Sequence, residues 1–383
     1  MPCLNEADTL ETCIRKAQQA FAAHQIAGEV VVADNGSTDG STEIAQQCGA
    51  RVVPVAAKGY GNALMGGIAA ARGRYIIMGD ADDSYDFSEI PRLLDKLRQG
   101  AELVQGCRLP WGGGTIMPGA MPPLHRWCGN PMFSLVARWW FKAPVHDVYC
   151  GLRGFTRGLY DRLDQRCTGM EFATEMIIKA SVYRARIAEA PITLHPDGRK
   201  SHAPHLRTFR DGWRTLRFFL MYSPRRLFLA PGITLFLLGV LGYALALPGV
   251  TINTAGGPIT FAASTLLFAS LAMLCGYQAA LFAIFSKTFA VSEGLLPKDV
   301  RLDRLFKVFN LERGLLLGAG AFLVGLVLLL LVVKQWRDAP APYHKLVYED
   351  TMKLLVPGAT LTALGFQTIL SSFFISILGM HRK

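Results

Sequence analysis

Sixty consecutive residues, 227–286, carry no charged side chain, and no other feature restricts this chain so strongly. Crossing the hydrocarbon core of a bilayer takes about 20 apolar residues in a helix, so a run of this length holds two spans. They are placed at about residues 227–247 and 261–285, separated by a turn-rich stretch with Gly249, Asn253, Gly256, Gly257 and Pro258. Two further uncharged runs, 314–333 and 354–380, bring the count to four spans. The third is dense in Leu and Val. The fourth, at about 355–378, is the most polar, with Thr360, Thr362, Gln367, Ser371, Ser372 and Ser376, but hydroxylated residues suit helix packing in lipid.

The formal charge of +11 would by itself suggest a nucleic-acid partner. Its distribution argues against one. Residues 1–206 hold 22 basic and 21 acidic side chains, residues 207–226 hold 6 and 1, and residues 227–383 hold 12 and 7. A nearly neutral first part is no basic nucleic-acid domain, and a chain that is 51% hydrophobic and 10% aromatic is not disordered. The expected organisation is a globular domain over 1–206, a basic amphipathic interfacial helix over 207–226 and a membrane domain over 227–383. On that helix Phe209, Trp213, Leu216 and Leu220 share one face beside Arg210, Arg214 and Arg217, a pattern suited to an anionic lipid surface; a helix that merely caps the globular domain is the alternative. Basic residues before the first span, between the second and third spans and at the end of the chain place the globular domain and both termini in the cytoplasm. No signal peptide is visible, because Glu6, Asp8, Glu11, Arg15 and Lys16 interrupt the first residues. The eight cysteines, without any CxxC pair, read as reduced thiols packed as small apolar groups.

Within the first 106 residues apolar runs alternate with helix-length segments: 29–33 then 41–48, 51–55 then 60–71, 74–78 then 88–99, and 102–106. Such alternation means a mostly parallel α/β sheet, whose ligands gather at the carboxyl ends of the strands. The residues at those ends are strongly polar. After the first run comes Asp34-Asn35-Gly36-Ser37-Thr38-Asp39, where Asp34 can accept hydrogen bonds from a base or ribose and Asp39 or Ser41 can cap a helix. After the third comes Gly79-Asp80-Ala81-Asp82-Asp83. On an extended strand end, residues 80 and 82 point the same way. Clustered carboxylates repel unless a cation sits among them, and a Mg²⁺ ion shared with a diphosphate suits an Asp-x-Asp pair; a solvated acidic turn is the alternative.

Pro2-Cys3-Leu4-Asn5-Glu6, Asp34 to Asp39, Lys58-Gly59-Tyr60-Gly61-Asn62-Ala63 and Gly79 to Asp82 resemble, in order and spacing, the family 2 glycosyltransferases. The continuation Gly106-Cys107-Arg108, then Asp147-Val148-Tyr149-Cys150-Gly151-Leu152-Arg153, is similar to the subgroup of dolichyl-phosphate and polyprenyl-phosphate mannose and glucose synthases. The resemblance covers about residues 1–225. It implies an α/β GT-A domain, a Rossmann-like binder of nucleotide sugars, followed by an all-α membrane domain. It also implies that Pro2, Leu4, Glu6 and Asp34 surround the nucleotide, that Lys58 and Gly59 lie along the donor, and that Asp80, Ala81 and Asp82 handle ribose and a diphosphate bound to Mg²⁺ or Mn²⁺. On the same resemblance, Asp82 is expected to be the better metal ligand of the two carboxylates. Where some relatives supply a further ligand, this chain has Ser84. The family's first strand begins before Pro2, so an apolar stretch is expected from in-frame codons upstream.

The same resemblance gives Arg108 and Arg126 to the acceptor phosphate and makes Asp147 a catalytic or sugar-orienting carboxylate. Arg126, Asn130 and Ser134 share a face if the segment is one helix, with Asn130 and Ser134 as further phosphate contacts. Glu171 and Glu175, one turn apart on a helix over 170–183, are either sugar ligands or ordinary helix acids. Arg199 and Lys200 belong to a basic run suited to the donor phosphates or to anionic lipid. The expected activity is inverting, metal-dependent transfer of one hexose from GDP-mannose or UDP-glucose to polyprenyl or dolichyl phosphate at the cytoplasmic membrane face. An acceptor that is already an anion needs positioning more than a general base. A processive polysaccharide synthase is the competing enzyme, although the Gln-x-x-Arg-Trp motif fails at Pro123. A catalytically inactive transferase-like membrane partner is the non-enzymatic alternative. The partners are a nucleotide sugar, a polyprenyl phosphate and membrane lipid, with no nucleic acid; self-association is compatible with this reading.

Overall fold

Strands and helices alternate through the N-terminal unit, Met1–Phe219, because short β-branched runs are separated by segments with apolar residues every three or four positions. The computed structural model describes residues 1–199, 208–254, 257–293, 296–297, 299–300, 302, 304, 306, 310–339 and 346–380. The first elements are β1 (Pro2–Cys3), α1 (Leu10–Ala23), β2 (Val31–Asp34), α2 (Ser41–Gln47), β3 (Arg51–Pro54), α3 (Tyr60–Ala70), β4 (Tyr75–Met78), α4 (Ile90–Arg98) and β5 (Leu103–Cys107). α1 buries Leu10, Cys13, Ile14, Ala17 and Ala20, and α4, with Pro91 in its first turn, buries Ile90, Leu93, Leu94 and Leu97. There follow β6 (Thr115–Ile116), α5 (Asn130–Phe141), β7 (Arg153–Thr156), α6 (Arg157–Leu163), α7 (Glu171–Val182), β8 (Ile187–Pro191), β9 (Thr193–Leu194) and α8 (Thr208–Met221).

β1, β2 and β3 form one parallel sheet. A second sheet runs β4-β7-β5-β8; β7 lies antiparallel between β4 and β5, and β5 pairs in parallel with β8. β1 pairs with β2 but makes no ladder to β4. An apolar cavity of about 280 Å³ lies between these two strands, lined by Met1, Ala33, Ile68, Ile76 and Met78 among others. The Met1 ammonium at its edge donates to the Val31 carbonyl at 2.9 Å.

The C-terminal unit, Leu220–Lys383, contains α9 (Ala230–Ala246), α10 (Ala263–Ser292), α11 (Leu311–Asp338) and α12 (Tyr348–Met380). Among the described residues, four helices are long and apolar enough to cross a membrane, and the chain is an integral membrane protein. The helices overrun the uncharged stretches, because charged residues continue a helix readily once its apolar part has ended. The segment expected to be turns contains a two-stranded hairpin, β10 (Thr251–Thr254) and β11 (Gly257–Thr260).

Small residues bring these helices together. A Cβ on Gly276 of α10 would overlap the Phe236 backbone of α9, and one on Gly365 of α12 would overlap the Phe322 backbone of α11. The hydroxyls that make the last span polar are used between helices. Tyr243 Oη lies 2.6 Å from Ser270 Oγ and 2.9 Å from Thr360 Oγ1, and Tyr277 Oη lies 2.6 Å from Thr368 Oγ1. Replacing Gly365 with Val is expected to separate α11 from α12 and cost about 1–3 kcal/mol. Thermal unfolding of the detergent-solubilised protein checks this, with Gly379→Val, whose Cβ meets open space, as a silent control.

Candidate functional site

The ends of β1 and β2 lie side by side, with Cys3 opposite Asp34, and the turns that follow are stitched together by polar side chains. Asn5 N donates to Ser37 Oγ at 2.9 Å, Thr38 N to Asn5 Oδ1 at 2.8 Å, Glu6 N to Ser41 Oγ at 2.9 Å and Ala7 N to Asp39 Oδ2 at 2.9 Å. Asp34 accepts from Gly36 N and Ser37 N at 3.0 and 3.1 Å. Lys58 Nζ reaches the Asn35 carbonyl at 2.5 Å, so Pro2, Asp34 and Lys58 gather at one end of the site. Leu4, in the same loop, is partly exposed. Gly59 has a φ of +131°, and its absent Cβ would lie 2.5 Å from the Thr168 carbonyl oxygen. The approach of residues 167–168 to the start of α3 therefore accounts for this glycine, a reason invisible in the motif.

The acidic end follows β4. Tyr60 Oη donates to Asp80 Oδ1 at 2.8 Å. Desolvation first, then the Asp82 charge, raise the Asp80 pKa from its ordinary 3.8 to about 6, against the opposing pull of Tyr60 and Arg199. Asp82 Oδ1 accepts from Ser84 N and Oγ at 3.0 and 2.6 Å, so Ser84 braces the carboxylate. The buried Ala81 contributes its carbonyl to Thr9 Oγ1 at 2.6 Å. Arg199 bonds Glu6 through Nε and Nη2 at 2.8 and 2.9 Å and reaches Asp82 Oδ2 at 3.2 Å. Lys200 lies outside the described residues. Asp80 and Asp82 fit a hard divalent ion by donor chemistry. Among the described residues no three His, Cys, Asp or Glu groups form a ready cage.

The basic end is built at the close of β5. Arg108 meets Asp147 through Nε at 2.7 Å and Nη2 at 2.9 Å, and its backbone N–H donates to the same carboxylate at 3.1 Å. Asp147 is wholly buried and Arg108 is 8% exposed. Burial would pull the Arg108 pKa down, but Asp147 and then Tyr85 hold it well above its ordinary value. Gln105 Nε2 donates to the carbonyls of Asp147 and Cys150, and Glu189 of β8 accepts from the amides of His146 and Asp147. Tyr85 Oη accepts from Gly151 N at 2.8 Å and lies 3.4 Å from Arg108 Nη1. A Cβ on Gly151 would stand 2.6 Å from Asp80 Oδ2. Gly151 and Tyr85 thus join the acidic end to the basic end.

The single helical face expected for Arg126, Asn130 and Ser134 does not form. Residues His125–Gly129 make a π turn before α5, because Pro131 has no N–H with which to continue an α-helical ladder. Asn130 turns to Met121 Sδ at 3.3 Å, and Ser134 Oγ accepts from Val148 N at 3.1 Å. Arg126 lies over the Trp127 ring, 5.2 Å from its centroid, and its Nε is buried with no hydrogen-bond partner among the described residues. Burial, then the Arg108 charge, lower the His125 pKa. Glu175 is fully buried against Lys179 at 2.7 Å and accepts from the amides of Arg166 and Cys167. It is a packing residue here, not an open sugar contact. Glu171 pairs with Arg214 of α8 at 3.7 Å.

Sequence reasoning missed Tyr60, Tyr85, Gln105 and Glu189 as supports of the site. The two tyrosines stand inside or beside motifs that were recognised. Nothing in the sequence separates Gln105 or Glu189 from ordinary strand residues.

Comparison with known proteins divides the chain similarly. Residues 1–163 match the model for glycosyl transferase family 2, and residues 284–379 match that for the glycosyltransferase family 2 C-terminal transmembrane region. The low-salt glycan biosynthesis hexosyltransferase Agl6 of Haloferax volcanii is 38% identical over 380 residues, 99% of this chain and 88% of the relative. A dolichyl-phosphate hexose transferase of the same organism is 34% identical over 165 residues, 43% of this chain and 68% of the relative. Among solved structures, glucosyl-3-phosphoglycerate synthase from Mycobacterium tuberculosis is similar at a TM-score of 0.47, with 20% identity and coverage of 57% of this chain and 76% of that one.

The Asp80 pKa yields a stability prediction. Raised from 3.8 to about 6, this group binds its proton more tightly in the folded chain than in the unfolded chain. Its contribution to stability therefore falls as pH rises between those values. In metal-free buffer the melting temperature of Asp80→Asn relative to the parent is expected to rise from about pH 4 to about pH 6 and then level off.

Proposed function

Because this chain belongs to glycosyltransferase family 2, joining a GT-A domain to that family's C-terminal transmembrane region, we propose that it transfers a single hexose, with inversion, from a nucleotide sugar to a polyprenyl or dolichyl phosphate. GDP-mannose and UDP-glucose are the donors to test first. The observation that carries this reading is the continuity of opposite charge in one site. The carboxylates of Glu6, Asp80 and Asp82 lead through Gly151 and Tyr85 to the guanidinium of Arg108. Similarity to a dolichyl-phosphate hexose transferase supports a lipid phosphate as acceptor. The catalytic domain and both termini are assigned to the cytoplasm from the basic residues flanking the spans.

In this mechanism Pro2, Leu4, Asp34 and Lys58 bind the nucleoside part of the donor. Asp82 and Asp80 hold Mg²⁺ or Mn²⁺, which when bound neutralises charge on the leaving diphosphate. Arg108 receives the acceptor phosphate: of the five N–H groups of a guanidinium, Asp147 and Tyr85 engage three, leaving two for phosphate oxygen. Arg126, in the turn before α5, adds positive charge. Asp147, already accepting three N–H groups from Arg108, holds that guanidinium in place and is not the proton acceptor. A phosphate monoester is an anion near neutral pH, so positioning lowers the barrier more than proton removal. One displacement at the anomeric carbon forms the new C–O bond as the bond to the nucleoside diphosphate breaks, which inverts configuration.

Purified protein given labelled donor, polyprenyl phosphate and Mg²⁺ or Mn²⁺ is expected to yield an organic-extractable sugar lipid, and EDTA is expected to suppress it. An insoluble polymer, or no lipid product with any common nucleotide sugar, would overturn the reading. Asp82→Ala is expected to lower kcat by roughly 100-fold or more. Asp147→Asn is expected to raise the acceptor KM about tenfold or more, as loosening a buried charge pair implies, while the pH profile of kcat keeps its shape. Loss of the acidic limb of that profile would instead mark Asp147 as a base.

A further inference from the structure

Arg199 stands where a divalent ion and a donor diphosphate are proposed to meet, yet its guanidinium is already engaged by three carboxylates. Nε and Nη2 bond Glu6 at 2.8 and 2.9 Å, Nη1 bonds Asp197 at 3.0 Å, and Nη2 lies 3.2 Å from Asp82 Oδ2. The other oxygen of Asp82 is taken by Ser84, so Arg199 covers the oxygen that remains. The side chain is 10% exposed, which removes most of the solvent screening that makes surface ion pairs weak.

The segment carrying Arg199 is anchored by its backbone. His195 N donates to the Ser84 carbonyl and Gly198 N to the Asp82 carbonyl, both at 2.9 Å, and Arg199 N donates to Asp197 Oδ1 at 2.9 Å. With the backbone fixed and Glu6 holding one edge of the guanidinium, the contact to Asp82 is the longest of the set and breaks without detaching the segment. A divalent ion bound to Asp82 Oδ2 would sit within a few ångströms of this like charge. Two negative phosphates arriving beside it would reverse that balance, because guanidinium bonds phosphate oxygen as well as it bonds carboxylate.

We propose that Arg199 is the resident counter-ion of the donor site. It covers Asp82 in the resting protein, opposes metal binding there on its own, and transfers to the donor diphosphate when nucleotide and metal enter together. This rests on the reading of Asp82 as a metal ligand. The consequence is positive coupling: nucleoside diphosphate strengthens metal binding and, by linkage, metal strengthens nucleotide binding to the same degree.

Mn²⁺ binding to the full-length protein in detergent, followed by the EPR signal of free Mn²⁺ with and without UDP or GDP, tests this without turnover. In the parent protein the nucleoside diphosphate is expected to raise Mn²⁺ affinity about tenfold or more. In Arg199→Gln the nucleotide-free affinity is expected to rise by a similar factor, and the coupling to shrink to about twofold or less. Arg199→Lys, which keeps the charge, is expected to retain most of the coupling. Equal Mn²⁺ affinity in the parent with and without nucleotide overturns the proposal whether or not the variants fold. So does Arg199→Gln with unchanged nucleotide-free affinity and intact coupling, which would make Arg199 a static tie. Mn²⁺ uptake by no sample, even with nucleotide, is the separate pattern that removes the metal reading of Asp82 and this proposal with it.

Discussion

The ion pair between Arg108 and Asp147 is the interaction on which the site depends. Burying two charges costs more than their attraction returns unless every remaining polar atom is satisfied. The surrounding structure supplies most of those partners, and two N–H groups of Arg108 are left for phosphate in the proposed reaction. Arg108 gives Asp147 three N–H groups, Gln105 of β5 takes up the carbonyls of residues 147 and 150, Glu189 of β8 takes up the amides of 146 and 147, and Ser134 of α5 takes up the amide of 148. Residues 146–150 form no regular element, yet bonds from two strands and a helix fix them. Their position decides where Gly151 and Tyr85 lie, and through them how close Asp80 stands to Arg108.

Charge in the catalytic domain is nearly balanced in total but divided in space. Carboxylates gather at the ends of β1 and β4, and Arg108 closes β5. A near-neutral domain can therefore present opposite fields to a diphosphate with its cation and to an incoming phosphate. In the proposed reaction two anions must approach each other, and this division reduces their repulsion without any excess of positive charge in the whole domain. The excess lies instead in residues 207–383.

Much of the fold was legible. The uncharged runs announced membrane helices, since few soluble structures tolerate such lengths, and the alternation of apolar runs with helix-length segments announced an α/β domain. The motif residues led to the polar ends of the strands because α/β sheets put their loops there. Less legible were the features set by contacts between distant segments. The hairpin between the first two spans looked like turns because Gly249, Asn253, Gly257 and Pro258 punctuate that stretch. Asn130 and Ser134 looked like phosphate ligands at helical spacing, yet a π turn and the needs of Met121 and Val148 draw them inward. Glu175 read as either a sugar ligand or a helix-surface acid, yet Lys179 and two backbone amides surround it.

The sequence by itself determined the division into an α/β domain and four apolar helices, the family, and which carboxylates and arginines stand at strand ends. These follow from local properties: hydropathy, periodicity and short motifs read along the chain. Only the tertiary structure decided what those charged groups do to one another. It paired Asp147 with Arg108, set Tyr60 and Gly151 against Asp80, and laid Arg199 across Glu6 and Asp82. The physical reason is that electrostatic partnership depends on distance and burial, and residues 39 or 193 positions apart in sequence become neighbours only when the chain folds.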